Sequence, residues 1–253
     1  EEIMNSFFTS LIILLMCGFA AGRFSDKFKI IALSIFTAIA SVCSFLPAVN
    51  VLLGGETLVK TFNFNPLFGD VNFVIDPLSA FFVIIISVMS LVTVIYANGY
   101  LRPYVEKGKN INAHLVFLPM LFASMQAVVT CQNAFMFLIC WEIMSLSSFF
   151  LVIFENEKKD VLRAGIKYLV FMHISVLFIM IAFAFLSIKA GSFDFNAFKA
   201  VLSKNIHFAN LVFALLFIGF GTKAGFVPFH NWLPDGHPAA PSHVSAVMSG
   251  VMI

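Results

Sequence analysis

A chain of 253 residues that is 60% hydrophobic and 15% aromatic, with 33 phenylalanines and only 11% charged residues, has more apolar surface than a soluble core of its size conceals. Lipid is therefore its solvent, and a polytopic helical membrane protein is the expected class. The net charge of +2 is scattered over loops and a few intramembrane positions without any basic block, which argues against a nucleic-acid partner.

The first apolar run, Ile3 to Ala21, is preceded by acidic residues and is long enough to span, so it reads as a first helix and not as a cleavable signal. Further spans are expected at Ile30 to Val49, Pro77 to Tyr96, Ile111 to Cys131, Ala134 to Phe154, Val161 to Ile188 and Phe208 to Phe229. An eighth starts near Ser242 and stops in mid-helix, so the chain reads as the N-terminal part of something longer. The four cysteines, Cys17, Cys43, Cys131 and Cys140, lie inside or at the ends of these runs without CxxC spacing and read as small apolar fillers.

Between spans 2 and 3, "ETLVKTFNFNPLFGDVNFVIDP" alternates apolar and polar residues around a Pro, Gly and Asp turn, which predicts a small β-hairpin on the membrane surface, with an irregular loop as the alternative. Between spans 6 and 7, "GSFDFNAFKAVLSKNIH" has helical apolar spacing and predicts a short interfacial helix. Basic residues cluster after spans 1, 3 and 5 (Arg23, Lys27, Lys29, Arg102, Lys107, Lys109, Lys158, Lys159, Arg163), which puts the N-terminus on the extracytoplasmic side.

Within the spans, ionisable residues stand out because an unpaired charge in hydrocarbon costs several kcal/mol. Glu142 lies deep in span 5, in "FMFLICWEIMSLSSFFLVIF", with Ser145 one turn away as a hydrogen-bond partner. Lys223 lies in span 7 among Gly219, Gly221, Gly225 and Pro228, which weaken the helix and predict a break at the lysine; snorkelling to the surface is the alternative. An opposite charge about 4 Å away is worth about 4 kcal/mol at an effective dielectric of 20, enough to set whether a buried lysine holds its proton. A Glu142/Lys223 pair that separates and closes is thus a proton switch. Span 6 adds Lys167, which near its end reads equally well as a snorkelling side chain, and His173, a relay candidate or a packed core histidine. His230, His237 and His243 match no zinc spacing. With Pro228, Pro234, Pro238 and Pro241 fixing a folded connection, the histidines read as lining a hydrated proton access, and Trp232 as an interfacial anchor.

"WEIMSLSSFFLV", "KAGFVPFHNWLPDGHPAAPSHVSAVMSGVMI" and "IDPLSAFF" resemble the antiporter-like proton-translocating subunits of respiratory complex I, of multisubunit sodium/proton antiporters and of energy-converting hydrogenases; "LPDGHPAAPSHVSAVMSG" and "YLVFMH" are most similar to the hydrogenase and formate hydrogenlyase branch. The resemblance implies about fourteen helices in the full protein, with two inverted five-helix repeats that each contain a broken helix. Residues 1–110 would be an N-terminal three-helix segment, and residues 111–253 a truncated first repeat without its second. It places the family's helix 5 glutamate on Glu142, its helix 7 lysine on Lys223 and its helix 6 lysine on Lys167, while Ser249 stands where complex I members have a histidine. It also implies a multi-pass subunit of a redox-driven pump in a prokaryotic plasma membrane. Partners would be sister membrane subunits and soluble subunits carrying Fe–S, Ni–Fe or flavin cofactors. The chain itself has no cysteine cluster or dinucleotide turn, so no cofactor of its own is expected. A sodium/proton antiporter subunit without redox partner, and a structural membrane scaffold, are the alternatives.

Overall fold

The computed structural model describes residues 2–63 and 69–253. Helices α1 (Glu2–Ala21) and α2 (Asp26–Leu52) lead into an antiparallel hairpin of β1 (Leu58–Asn63) and β2 (Asp70–Ile75). Helices α3 (Pro77–Glu106), α4 (Asn112–Thr130), α5 (Ala134–Val152) and α6 (Lys159–Ala190) follow, then a short α7 (Phe195–Leu202) and α8 (Ile206–Lys223). The chain continues through a 3-10 turn at Phe229–Trp232, α9 (Leu233–Ala239), α10 (Ser242–Val247) and a π turn at Met248–Met252. Seven helices, α1 to α6 and α8, are long and apolar enough to cross a bilayer.

The seven complete spans expected recur among these helices, the expected start of an eighth near Ser242 coincides with the six-residue α10, and the hairpin and the short helix are both present. Val59 faces Val74 and Thr61 faces Asn72 across the hairpin, while the Pro66 part of its turn lies outside the described residues. Phe62 and Phe73 meet Phe8 of α1 edge to face at 5.0 and 5.4 Å, which docks the hairpin on the end of the bundle. The same end is closed by backbone hydrogen bonds from Gln132 N–H to Asn72 O and from Ala134 N–H to Phe193 O, both 2.8 Å. Asn133 and Asp194 cap the starts of α5 and α7 there.

Two expected spans end in the wrong place. Helix α3 runs ten residues past Tyr96, because Leu101 is fully buried and Tyr96, Tyr100 and Tyr104 stack along one face of the extension. Helix α8 stops at Lys223, short of the expected Phe229, for a local reason. Gly225 takes a left-handed φ of 71°, and the Phe226 N–H bonds Gly221 O at 2.8 Å while the Gly225 N–H bonds Thr222 O at 3.3 Å. That is the Schellman arrangement, which closes a helix by satisfying its last carbonyls.

A neutral polar seam is buried among the first four helices. Among α1 to α4, Ser41 meets Ser90 at 2.6 Å, Ser44 meets Ser87 at 2.9 Å, and Gln126 Nε2 donates to Ser44 at 3.0 Å while its amide oxygen accepts from Ser10 at 3.3 Å. Neutral hydroxyls bonded across helices hold their register where the hydrophobic effect gives none. In the second half the close crossing is α6 with α8. Ser175 Oγ donates to Gly219 O at 2.7 Å, and a Cβ on Gly219 would lie 2.6 Å from Ile179 and 3.0 Å from Ser175 O. The glycine is there for approach distance, which brings the end of α8 against the centre of the bundle.

Candidate functional site: a buried lysine at a helix end

Lys223 is the last helical residue of α8 and is 2% exposed. Its Nζ donates to Ser145 Oγ of α5 at 3.4 Å and sits 5.5 Å from the Trp141 ring and 5.9 Å from the Tyr168 ring. The lysine therefore faces inward, and the snorkelling alternative does not hold. Two aromatic faces and the negative end of a helix dipole each favour an ammonium by about 0.5–2 kcal/mol. Together they offset part of the several kcal/mol that removing the charge from water costs. The balance is left to nearby charge.

The shell around it is firmly set. Tyr168 shares a 2.6 Å hydrogen bond with Ser148 and packs its ring 5.1 Å from that of Trp232. Trp232, expected at the interface, is instead fully buried, and its indole N–H donates to Thr222 O at 2.9 Å. It pins the segment after the break under the end of α8. Sequence reading placed it by residue type, and only the return of the chain beneath the helix end explains its position.

Glu142 is on the same helix as Ser145, but the expected hydrogen bond between them is absent: Ser145 is turned to Lys223. The carboxylate lies towards an open apolar groove between α5 and α6, with Leu138, Met180 and Phe183 beside it. Its Oε2 is 3.9 Å from His173 Nε2, and its Oε1 is buried without a hydrogen-bond partner among the described residues. Glu142 and Lys223 form no direct ion pair among the described residues; the charged-group contact of Glu142 is His173, and Lys223 bonds Ser145. His173 is on the outer face of α6, neither packed in the core nor enclosed. Its Nδ1 contacts Leu169 O at 2.9 Å; a carbonyl only accepts, so Nδ1 carries the hydrogen and a neutral ring turns a bare Nε2 towards Glu142. Two acceptors face each other across that gap. A single proton on either atom turns repulsion into attraction.

Lys167 follows its surface alternative. Its Nζ pairs with Asp235 at 2.7 Å and Asn231 at 3.3 Å, tying α6 to the segment after the break in a cleft at the surface of the bundle. The three histidines of that segment divide. His230 is exposed; His237 is half-buried and bonded to Ser245 at 2.7 Å, and its burial lowers its pKa. His243 is buried. It meets His114 of α4, Nε2 to Nε2, at 2.8 Å. Sequence reading missed His114, whose one signal was a polar ring one turn inside the start of a span.

Two family models match the chain: "NADH:quinone oxidoreductase/Mrp antiporter, TM" over residues 131–253, and "NADH-Ubiquinone oxidoreductase (complex I), chain 5 N-terminus" over residues 62–109. The chain belongs to the antiporter-like membrane subunit family. Hydrogenase-4 component B of Escherichia coli is 40% identical over 97% of the chain, against 30% over 81% for Na(+)/H(+) antiporter subunit A1 of Staphylococcus haemolyticus. The similarity is thus greater to the hydrogenase member than to the antiporter member. The chain spans 35% and 25% of the lengths of these two relatives. The solved structure of the Mrp complex from Dietzia sp. DQ12-45-1b contains a chain of the same fold, with a TM-score of 0.82 over the whole of this chain and 27% of that one, at 20% identity.

Proposed function

We propose that the chain is part of a proton-translocating membrane subunit of a redox-driven ion pump, with Glu142 and Lys223 as the side chains that release and take up the proton. One observation carries this reading: Lys223 is fully buried, and its direct hydrogen-bond partner among the described residues is a neutral hydroxyl. The ammonium there is stable only with help from nearby negative charge, and Glu142 supplies it from the neighbouring helix. When Glu142 gains a proton, from His173 or from a partner subunit facing the groove, that help is lost and Lys223 gives up its proton. When Glu142 ionises again, Lys223 recovers it. Moving one charge against 100 mV costs about 2.3 kcal/mol, less than the about 4 kcal/mol exerted by an opposite charge about 4 Å away at an effective dielectric of 20. A pair that closes to that distance has adequate strength.

Lys167 and Asp235, with His230 and His237, are proposed to hold and hydrate the segment through which protons reach the helix end. The partners are sister membrane subunits and soluble subunits carrying Fe–S, Ni–Fe or flavin cofactors. Greater similarity to the hydrogenase member favours this over an antiporter without redox partner. The location is a prokaryotic plasma membrane with the N-terminus outside, supported by Arg102, Lys107, Lys109, Lys158 and Arg163, which the alternation of spans brings to one face.

The test is proton uptake by the assembled complex in proteoliposomes, driven by its native electron donor. Lys223→Ala and Glu142→Gln should each abolish uptake; normal pumping by either variant sinks the proposal. Copurification without any redox subunit would support the antiporter alternative instead.

A further inference from the structure

His114 and His243 meet Nε2 to Nε2 at 2.8 Å, and both rings are buried, at 2% and 3% exposure. Both Nδ1 atoms are buried without a hydrogen-bond partner among the described residues. Two buried nitrogens left unsatisfied, each worth about 1–3 kcal/mol, are a poor way to fasten two helices, since a packed apolar pair would cost nothing of the kind. They are what a relay requires: one atom to receive a proton and one to release it.

The surroundings supply the rest. On the α3 side a small cavity is lined by Thr93, Tyr96, Ser242 and His243. The Tyr100 ring packs against His243 at 5.0 Å, and its hydroxyl is 3.5 Å from that of Tyr104, which donates to Glu155 at 3.0 Å. Glu155 in turn pairs with Lys158 at 2.6 Å, while Lys109 lies 4.7 Å from the Phe154 ring that covers His114. The titratable groups packed around the pair are therefore Tyr96, Tyr100 and Tyr104 from α3, with Glu155, Lys158 and Lys109 at the rim nearest the basic loops.

We propose that His114 and His243 form a two-imidazole relay that passes one proton between the α3 cavity and the interior behind α4. The proposal rests on the proton-translocating reading above. In a neutral pair one ring carries its hydrogen on Nε2 and donates to the other, whose hydrogen is on Nδ1. A proton arriving at the bare Nδ1 of the donor ring moves the shared hydrogen across to the second Nε2, and the second ring releases its Nδ1 hydrogen. One proton enters and one leaves, with no net charge on either ring. The two tautomers are then exchanged, so the bond is kept with its direction reversed. A second proton cannot follow in the same direction until both rings reset, which makes the pair a one-proton step.

The experiment compares Lys223→Ala, His114→Gln and His243→Gln in the assembled complex, reading protons taken up per electron transferred. Glutamine keeps a donor and an acceptor at the site and does not titrate in this range. Each histidine variant should lose uptake on the order of a hundredfold, the usual scale of a lost proton-transfer group. If Lys223→Ala stops pumping while both glutamine variants pump normally, the relay is overturned and the proposed function stands. If Lys223→Ala pumps normally, the proposed function falls. The relay is read independently, and without a variant that must assemble, from 15N-histidine spectra of the unaltered complex in bilayers. A shared Nε2 hydrogen that exchanges with water faster than the backbone amides of α4 supports it, and one as protected as those amides overturns it.

Discussion

The serine and glutamine seam between α1, α2, α3 and α4 and the ionisable groups around Lys223 and His243 are both buried, and the chain treats them differently. The seam of Ser10, Ser41, Ser44, Ser87, Ser90 and Gln126 is neutral, and each member has a partner. Outside that seam His114, Lys223 and His243 are buried and ionisable, and hydrogen-bonding atoms of Glu142, His114 and His243 are left without a partner among the described residues. Satisfied neutral groups in a bilayer fix helix register, whereas unsatisfied ionisable ones keep a choice of protonation state open. The contrast separates glue from machinery within one chain.

The sharpest way to break the contrast is Lys223→Arg, which keeps the positive charge but removes the ability to lose it. Proton uptake in proteoliposomes should fall on the order of a hundredfold; a charge needed only for assembly would leave it intact. Next in size is Gly219→Leu, which overpacks the α6–α8 crossing and should destabilise the assembled protein by about 1–3 kcal/mol in a denaturant titration in detergent. Ser44→Ala and Gln126→Leu should cost only about 0.6–1.7 kcal/mol in the same titration and leave pumping unchanged; a pumping defect from either would move the seam into the machinery.

The smallest effect concerns pH. Burial holds the His237 pKa below its usual value, so the unfolded chain binds that proton more readily than the folded one. The stability this neutral ring allows is complete above about pH 6.5 and declines as the pH falls towards its lower folded value. His237→Gln should therefore flatten the acid limb of a thermal-melt series by a small amount while leaving the melt at neutral pH nearly unchanged.

The sequence carried the spans and the chemistry unevenly. Hydropathy located the spans because lipid imposes both length and apolarity, and Glu142 and Lys223 stood out because ionisable residues are rare there. What it could not carry was which partner each polar group meets. Ser145 turns to Lys223 because α8 ends level with it, a consequence of the Gly225 turn; Trp232 is buried because the chain doubles back beneath that end. His114 and His243 are 129 residues apart, and nothing in their local sequence couples them.

The central claim is that Glu142 and Lys223 act through their ability to ionise and not through their shape. The most direct measurement replaces both at once with neutral side chains of similar length, Glu142→Gln with Lys223→Met, and follows proton uptake by the assembled complex in proteoliposomes. Assembly retained and proton uptake absent is the predicted result, while normal pumping by the neutral pair would contradict the claim.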